Sequence, residues 1–387
     1  MKKIAILGST GSIGTTLINI IKKDKKNFKI ELLTANKNYK KLIKYVNFFN
    51  VKNIIITDKK SFLISKNILK NTNISIYNNF DSLRMIFKDK KIDYTISAIS
   101  GFEGLKPTLE MIKFTKIIAI ANKESIICGW SLIKKNLKRC DTKFIPIDSE
   151  HFSIWSLTKD IKSKNLEKVY LTASGGPFRK YPLNKFKLIT PKKALKHPNW
   201  SMGKKISIDS ATMMNKVFEI IEAKKIFNLK YNQLEVLIHP KSYLHAIVKF
   251  TNGLTKLLIH DTNMTIPIFN SIYSKSENTI QSKPLDIDIL NNLNLERVDK
   301  KRFPVVKIIN KLSEQESLFE TLIVSANDKL VHRFLKNEIK FLDISNLLMK
   351  IINLKEFKNL KNIKPKNVEQ VTKLANYVSL KINNMSI

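Results

Sequence analysis

A glycine-rich turn near the N-terminus constrains the fold more than any other feature of this chain. Lys3–Leu7 is an apolar run typical of a buried strand, Gly8–Gly14 follows with glycines at positions 8, 11 and 14, and Thr15–Lys23 has a helical pattern. Such glycines allow a tight turn and a close approach of the backbone to a pyrophosphate, while the helix N-terminus supplies N–H groups. The sequence therefore predicts a dinucleotide-binding βαβ unit rather than a purely structural turn.

The same alternation of strands and helices continues to about residue 150. Further short apolar runs predict strands at Lys29–Thr34, Ile54–Thr57, Asp93–Ser97, Lys116–Ala121 and Phe144–Ile147. Strands that alternate with helices indicate a parallel sheet, in which ligands bind beyond the carboxyl ends of the strands. Polar candidates follow these strand ends at Ala35–Asn38, Ser100-Gly101, Asn122–Glu124 and Asp148–Glu150.

We predict an α/β protein with four parts. Residues 1–149 form a Rossmann-like parallel-sheet domain that binds the dinucleotide, and residues 150–276 form a central α+β catalytic domain. Residues 277–300 are polar, contain Pro284 and are typical of a linker. Residues 301–387 carry apolar residues at three-to-four spacing, which predicts a C-terminal helical bundle.

The end of the second predicted strand favours NADPH over NADH. An NAD site usually has an acidic residue about 20 positions after the glycine turn. Here the strand ends in Ala35-Asn36-Lys37-Asn38, which contains no carboxylate. A lysine between two amides would attract the 2′-phosphate of NADPH, although Lys37 also fits an ordinary surface lysine.

Three carboxylates are candidates for a divalent-metal site. Asp148 and Glu150 are two residues apart, which would put both side chains on one side of an extended segment. Glu219 would complete an all-oxygen set, which suits Mg²⁺ or Mn²⁺ rather than structural zinc. An Asp-x-Glu pair alone is unspecific, because it is more often a helix cap or part of a surface loop.

The segment around Glu219 also offers groups suited to a phosphate. Ser210 stands where a helix N-cap is expected, and Asn215, Lys216 and Glu219 fall on one face of the helix that would follow. A lysine and an acid at this spacing usually form a surface ion pair. The small and apolar residues around them indicate burial instead, which favours a binding site.

Two loops offer further contacts for the same anion. Ser174-Gly175-Gly176-Pro177 contains consecutive glycines that leave backbone N–H groups available for anion capture. His197–Gly203 contains a histidine, a tryptophan and a terminal glycine, which indicates a lid that covers the substrate and excludes water. The alternative for this loop is ordinary packing with Trp200 in the core.

Composition argues against several classes of protein. No apolar run approaches the roughly 18 residues needed to span a bilayer, and the first apolar run ends at Gly8 without a signal-peptide cleavage site. The two cysteines, Cys128 and Cys140, fit a reducing cytoplasm. The formal charge of +37 comes almost wholly from lysine, with six scattered arginines, so we expect a lysine-coated surface and no specific nucleic-acid partner.

Taken in order, these motifs resemble the 1-deoxy-D-xylulose 5-phosphate reductoisomerase family. The resemblance lies in Gly8–Gly14, Ala121–Ser125, Pro146–His151, Ser174–Arg179 and His197–Glu219, and continues more loosely through Ser325–Asp328. It implies an enzyme that needs NADPH and Mg²⁺, Mn²⁺ or Co²⁺. Such an enzyme rearranges 1-deoxy-D-xylulose 5-phosphate by retro-aldol and aldol steps, then reduces the product to 2-C-methyl-D-erythritol 4-phosphate for isoprenoid synthesis.

The resemblance also implies roles for single residues. The metal ligands would be Asp148, Glu150 and Glu219, which are catalytic together with Lys123. The substrate would contact Lys123, Ser149, Glu150, Ser174, His197, Ser210, Asn215, Lys216 and Glu219. NADPH would contact Thr10, Gly11, Ser12, Ile13, Asn36, Lys37, Asn38, Asn122, Glu124 and Gly203. Members are typically homodimers, so a cytoplasmic homodimer acting on a small sugar phosphate is expected.

Two alternatives stay open on sequence grounds. A simple NADPH-dependent dehydrogenase of another phosphorylated metabolite would share the glycine turn but would not need a metal. A basic RNA-binding protein would show clustered arginines or interleaved aromatics, which we do not find. Asn36 and Lys204 depart from a glycine and an arginine common in the family, but neither departure removes a metal or phosphate residue.

Overall fold

The computed structural model describes residues 1–88, 90–200, 202–273, 278–284 and 286–385. The chain divides into two units. The first contains Met1–Ser125, Leu132–Asp148 and Met264–Ile280, and the second contains Ile126–Ser131, Ser149–Asn263 and Gln281–Ile387. Within the described residues, every helix is too short or too polar to cross a membrane.

The first unit is built on a seven-stranded sheet, whose strands are β1 (Lys2–Leu7), β2 (Phe28–Ala35), β3 (Asn53–Ile56), β4 (Ser75–Tyr77), β5 (Ile92–Ser97), β6 (Thr115–Ile120) and β7 (Lys143–Pro146). All neighbours pair in parallel, in the order β4-β3-β2-β1-β5-β6-β7. The central strand β1 is fully buried from Ile4 to Leu7, which explains its continuous apolar run. The predicted Rossmann-like parallel sheet is confirmed.

The helices of this unit are α1 (Ser12–Lys23), α2 (Tyr39–Phe49), α3 (Lys59–Ile68), α4 (Leu83–Phe87), α5 (Leu105–Ile112) and α11 (Thr265–Ile272), together with the two ends of α6 (Lys123–Arg139), whose residues 126–131 belong to the second unit. Although α11 is distant in sequence, it is anchored here by the Tyr94 hydroxyl, 2.7 Å from Ser271 Oγ, and by Lys2, which donates to the Ile272 carbonyl at 2.6 Å. The two units therefore divide the chain differently from the predicted four parts, since the first unit includes Met264–Ile280. The predicted boundary at residues 276 and 277 lies outside the described residues, and the four-part division stays a prediction.

The second unit contains a mixed five-stranded sheet of β8 (Leu166–Ala173), β9 (Leu234–Ile238), β10 (Leu244–Phe250), β11 (Thr255–Ile259) and β12 (Glu296–Arg297). The order is β11-β10-β8-β9-β12, and only β8 and β9 pair in parallel among the described residues. Strand β12 lies inside the predicted linker and pairs with β9 at Ile238 and Leu237. The central region is thus α+β, as predicted.

The remaining helices are α7 (Ser149–Thr158), α8 (Pro191–Ala194), α9 (Lys204–Thr212), α10 (Met214–Phe227), α12 (Ile287–Asn291), α13 (Leu318–Leu335), α14 (Phe341–Ile351) and α15 (Val368–Asn383). The last three form the predicted helical C-terminal region. Helix α13 begins with a capping box, in which the Glu320 carboxylate accepts the Ser317 N–H at 2.8 Å.

Candidate active site

The carboxylates of Asp148, Glu150 and Glu219 lie together. One oxygen of each lies within 4.8 Å of the others. Asp148 lies two residues after the end of β7, Glu150 lies in the first turn of α7, and Glu219 lies inside α10. The prediction that Asp148 and Glu150 lie on an extended segment is wrong, because helix α7 begins at Ser149 and contains Glu150. Three carboxylate oxygens form a donor set that suits a hard divalent cation.

Two lysines neutralise part of this acidic charge. Lys123 donates to Asp148, and Lys216 donates to both Glu150 and Glu219. The Lys216 side chain is 7% exposed and that of Glu219 is 1% exposed. Burial alone would lower the pKa of Lys216, but the adjacent carboxylates of Glu150 and Glu219 raise it above its ordinary value. Lys216 therefore stays a cation at neutral pH.

Polar neighbours fix the orientation of two of the carboxylates. Ser149 Oγ donates to Glu150 Oε2 at 2.6 Å. The Asn215 side-chain amide donates to Oε1 of Glu219, while the Lys216 ammonium contacts Oε2. The predicted helical face of Asn215, Lys216 and Glu219 is confirmed, since all three side chains meet in α10.

Ser174, His197 and Ser210 form a second polar cluster. His197 Nε2 lies 3.1 Å from the hydroxyl oxygens of both Ser174 and Ser210. The Gly176 N–H also donates to Ser174 Oγ at 3.0 Å. The predicted N-cap role of Ser210 is wrong, because α9 begins six residues earlier with Gly203 as its N-cap. The structure nevertheless gathers hydroxyl and imidazole groups that could contact one anion.

The loop after His197 fixes which ring nitrogen carries the proton. His197 Nδ1 accepts the backbone N–H groups of Asn199 at 3.2 Å and Trp200 at 3.0 Å, so the proton of a neutral ring lies on Nε2. Burial, and then the positive charge of Lys216, lower the pKa of His197 to about 4. At neutral pH this ring is uncharged, and its Nε2–H donates towards the serine hydroxyls.

Two unusual backbone positions shape the cluster. Gly176 has a φ of +65°, and a Cβ added there would lie 2.9 Å from the Ser210 carbonyl oxygen. Met213 has a φ of +68° although it is not glycine, and it separates α9 from α10. Ser210 and Asn215 therefore lie on opposite sides of the left-handed residue that separates the two helices.

The glycine turn adopts the close packing that its sequence predicts. Gly8 has a φ of +79°, and its N–H donates to Thr34 Oγ1 at 2.9 Å. A Cβ at Gly14 would lie 2.5 Å from the Gly8 carbonyl oxygen, so helix α1 can start this close to the turn only with glycine. The predicted cofactor residues Thr10, Gly11, Ser12 and Ile13 follow, and all four are at least partly exposed.

The predicted 2′-phosphate segment is exposed beyond β2. Asn38 caps α2 by accepting the Lys41 N–H at 3.3 Å, and the Asn36 amide donates to Thr57 Oγ1 at 2.8 Å. The side chain of Lys37 lies between these two held residues and is exposed. This arrangement leaves its ammonium accessible to a ligand.

The other predicted cofactor residues lie at helix starts. Asn122 caps α6 by accepting the Ser125 N–H, and its amide donates to the Gly101 carbonyl at 2.9 Å. Glu124 is buried in the first turn of α6. Gly203 caps α9 through its carbonyl, which accepts the Ser207 N–H at 3.1 Å.

Two further polar residues contact the glycine turn or hold the loop after His197, and no sequence motif predicted either of these contacts. Lys41 donates to the Thr10 carbonyl at 3.2 Å and to Thr15 Oγ1 at 2.7 Å, which puts an ammonium beside the glycine turn. Asn199 donates to the Pro240 carbonyl at 2.6 Å and to Ser242 Oγ at 2.9 Å, which holds the loop after His197. Lys41 is one of many lysines, and no spacing distinguishes it from the rest.

A glycine turn on a parallel sheet and, in the same chain, a cluster of three carboxylates with two lysines are typical of a metal-dependent oxidoreductase that binds a dinucleotide. Three family models match the chain. They describe 1-deoxy-D-xylulose 5-phosphate reductoisomerase over residues 4–129, its C-terminal domain over residues 144–227, and the DXP reductoisomerase C-terminal domain over residues 260–378. The chain belongs to the 1-deoxy-D-xylulose 5-phosphate reductoisomerase family.

Individual relatives agree with this assignment. The reductoisomerase of Pelagibacter ubique is 69% identical over 100% of both chains, and that of Clostridium novyi is 38% identical over 94% of this chain and 95% of its own. A crystal structure of DOX-P reductoisomerase with NADPH, fosmidomycin and magnesium has a TM-score of 0.90 and 29% identity, covering 99% of this chain and 98% of the other. The Zymomonas mobilis enzyme with NADPH has a TM-score of 0.86 and 30% identity, covering 98% and 97%.

Proposed function

We propose that this chain converts 1-deoxy-D-xylulose 5-phosphate to 2-C-methyl-D-erythritol 4-phosphate, with NADPH as reductant and a divalent cation as cofactor. Family membership supports the overall reaction, and the solved relative that holds NADPH, fosmidomycin and magnesium supports the ligands. The observation that carries the proposal in this chain is the grouping of three carboxylates, of which Glu150 and Glu219 contact the Lys216 ammonium and Asp148 contacts that of Lys123. A simple dehydrogenase has no need of that grouping.

We assign the metal to Asp148, Glu150 and Glu219. Mg²⁺, Mn²⁺ or Co²⁺ held there would act as a Lewis acid on the substrate carbonyl and a neighbouring hydroxyl. The hydrogen bonds from Ser149 and Asn215 hold the carboxylates of Glu150 and Glu219 in one orientation. Such fixed ligands limit the reorganisation needed when the cation binds.

The substrate phosphate is assigned to the serine–histidine cluster and its neighbours. Ser174 and Ser210 offer hydroxyl donors, and the neutral His197 offers an Nε2–H between them. Lys216 and Asn215 add a positive charge and an amide from the first turn of α10. Holding the phosphate away from the reacting carbons keeps the two fragments in register while the carbon skeleton breaks and rejoins.

Lys123 and Ser149 are assigned to the reacting end of the substrate. The Lys123 ammonium already contacts a carboxylate of the metal group, and its side chain is 11% exposed. A buried ammonium at this point would stabilise negative charge on the substrate oxygens during the retro-aldol and aldol steps. The loop His197–Gly203 would cover the site as a lid, although its Ser201 lies outside the described residues.

NADPH is assigned to the glycine turn and the helix starts around it. Bound there, NADPH would supply the hydride that reduces the branched aldehyde. The backbone of the turn would bind the pyrophosphate, and Lys37 would attract the 2′-phosphate. The full set of proposed contacts is Thr10, Gly11, Ser12, Ile13, Asn36, Lys37, Asn38, Asn122, Glu124 and Gly203.

The assembly and location follow the family. We propose a homodimer in the cytoplasm, with a small sugar phosphate as the substrate and no specific nucleic-acid partner. The four predicted parts would then be an NADPH-binding domain (1–149), a catalytic domain (150–276), a linker (277–300) and a helical domain (301–387). Sedimentation velocity at micromolar concentration tests the dimer directly, and a monomer at that concentration would contradict it.

An absorbance assay tests the proposed reaction. NADPH oxidation is followed with 1-deoxy-D-xylulose 5-phosphate as the substrate, first with Mg²⁺, then after chelation with EDTA, then after Mg²⁺ is restored. We expect activity to disappear with EDTA and to return with the metal, because the carbonyl is not polarised without a cation. Undiminished turnover in EDTA would identify a metal-independent reductase instead.

The variant Glu219→Gln tests the metal assignment. It keeps the size of the side chain but removes one negative ligand, so turnover should fall by at least about 100-fold, since a lost electrostatic contact in an active site costs roughly 10²–10³-fold. NADPH binding, followed by fluorescence, should stay nearly unchanged. Glu235→Gln is the control, because it makes the same chemical change in a glutamate whose ion pair with Lys168 is partly solvent-exposed and lies outside the carboxylate cluster. Full activity in Glu219→Gln would remove the assignment.

A further inference from the structure

Helix α6 is bent at Gly129, and two charged side chains meet the backbone at the bend. Gly129 has a φ of −138° and a ψ of 23°, outside the helical range. In an unbroken helix the Ser131 N–H donates to the Ile127 carbonyl, four residues earlier. Here the Ser131 N–H donates to both carboxylate oxygens of Glu316, at 3.2 and 3.1 Å, and the Ile127 carbonyl accepts from the Lys225 ammonium.

The two charged side chains also pair with each other in an enclosed place. Lys225 Nζ lies 3.4 Å from Glu316 Oε1 and 3.5 Å from Glu320 Oε2. The three side chains are 5%, 13% and 3% exposed, in the order Lys225, Glu316 and Glu320. The two side chains cannot be exchanged without loss, because the Lys225 ammonium needs the acceptor it finds in the Ile127 carbonyl and the Glu316 carboxylate needs the donor it finds in the Ser131 N–H. An ion pair that contacts no backbone group could be reversed without losing a hydrogen bond.

We propose that Lys225 and Glu316 are positioning residues for the reaction, and that they act through α6. The helix begins at Lys123, four residues or about 6 Å along the axis before Ile127. By holding the bend with two fixed side chains, the pair sets the direction of the turn that carries Lys123. The inference rests on the role proposed above for Lys123.

Three variants at the end of α10 test the inference. Lys225→Met removes the donor to the Ile127 carbonyl, and Lys225→Arg keeps a donor. The control is Lys224→Met, since Lys224 pairs with Glu314, which is 58% exposed. We expect kcat to fall about 10- to 100-fold in Lys225→Met, because displacing a reacting group by about 1 Å costs on the order of 10²-fold. Lys225→Arg should recover most of kcat, and Lys224→Met should keep it.

Charge exchange separates positioning from a simple ion pair. The double variant Lys225→Glu with Glu316→Lys keeps the attraction between the two side chains. It also points a carboxylate at the Ile127 carbonyl and an ammonium at the Ser131 N–H, so both backbone groups lose their partners. We expect no recovery of kcat relative to Lys225→Met. A double variant that regains activity would show that only the attraction matters, and would overturn the inference.

A double-mutant cycle with Lys123→Met shows whether the effect passes through Lys123. If it does, Lys225→Met should cost little extra once Lys123 is gone. Equal losses of kcat in both backgrounds would overturn the inference but leave the role of Lys123 intact. Full turnover in Lys123→Met alone would instead refute that proposed role.

A second pair of variants covers the case in which Lys225→Met does not fold. Glu316→Gln keeps an oxygen for the Ser131 N–H, whereas Glu316→Leu removes it and leaves Lys225 beside Glu320. We expect the kcat of Glu316→Leu to fall at least about fivefold below that of Glu316→Gln, by the same displacement argument. Folded Glu316→Leu with wild-type kcat would overturn the inference.

Discussion

At the residue scale, Lys37 has the most specific of the roles proposed for a single side chain. It is exposed between Asn36 and Asn38, whose side chains are engaged with Thr57 and with the start of α2. Its backbone is held as well, because its carbonyl accepts the Ser61 hydroxyl at 3.2 Å. An ammonium on a fixed backbone can discriminate between two cofactors that differ by one phosphate.

The variant Lys37→Glu should therefore raise the KM for NADPH roughly 10- to 30-fold. Reversing a charge about 4 Å from a phosphate in water changes the Coulomb energy by about 2 kcal/mol. The KM for NADH should change little, because NADH lacks the 2′-phosphate. Lys40→Glu, on the exposed side of α2, is the matched control. Equal effects on both cofactors would remove the argument for NADPH selection at this position.

His197 gives a prediction about stability against pH. Its pKa is about 4 in the folded chain, below its ordinary value of about 6.5, so the unfolded chain binds more protons between these values. Its contribution to stability is thus complete above about pH 6.5 and is lost as pH falls towards 4. The free energy of unfolding, measured with urea at several pH values, should fall less steeply for His197→Gln than for the wild type. Parallel curves would contradict a neutral, buried ring.

At the element scale, the close approach of the Ser174–Pro177 loop to α9 depends on one glycine. The Gly176→Ala variant combines an unfavourable φ of +65° with a Cβ only 2.9 Å from the Ser210 carbonyl oxygen. Gly253→Ala is the control, because Gly253 has a φ of +87° but nothing within 4 Å of its added Cβ. Both variants should lose about 1 kcal/mol or more of stability from backbone strain.

Only Gly176→Ala should also raise the KM for the sugar phosphate, because it pushes α9 and the Ser210 hydroxyl away from His197. Thermal unfolding measures the shared strain, and steady-state kinetics measure the difference. If both variants keep the wild-type KM, the contact between this loop and α9 does not shape the proposed phosphate site.

Elements also show what the sequence could predict. The turn at Gly8–Gly14 and the strand before it can be predicted because the pattern is local. A run of apolar residues predicts the strand, and glycines follow where two backbone segments pack closely. The start of α7 was not visible, since the Asp148–Glu150 spacing fits both an extended segment and a helix start. The three-residue strand β4 is too short for a periodic pattern, and tertiary pairing alone defines it.

Contacts between segments that are distant in the sequence could not be predicted, for a different reason. The sequence offers Asp148, Glu150 and Glu219 as a candidate oxygen set, but only the family resemblance assigns all three to one metal, since no spacing brings Glu219 next to the other two. Nothing in the sequence near Lys225 or Glu316 indicates that the two side chains meet at the bend of α6, because a lysine and a glutamate more often lie on the surface. Helices and strands can be predicted from residues that are close in the sequence. Which charged side chains are buried together depends on contacts between residues that are distant in the sequence.

At the scale of the whole molecule, the formal charge of +37 should affect binding of the substrate and cofactor. Both are anions, so a positive surface attracts them at low ionic strength. The KM values for the sugar phosphate and NADPH should rise as NaCl increases from about 0.05 to 0.5 M, because the Debye length shortens to a few ångströms. The kcat should change little. Sodium acetate in place of chloride controls for competition by a particular anion, and salt-independent KM values would contradict long-range attraction.

The left-handed residue between α9 and α10 limits how this protein can change. Glycine or asparagine would suit the backbone at Met213, but the Met213 side chain is 2% exposed and fills space that neither residue would occupy. A bulky β-branched residue would fill the space but not accept the dihedral angle. Few amino acids meet both demands, so random mutagenesis should return a short list of functional residues at this position.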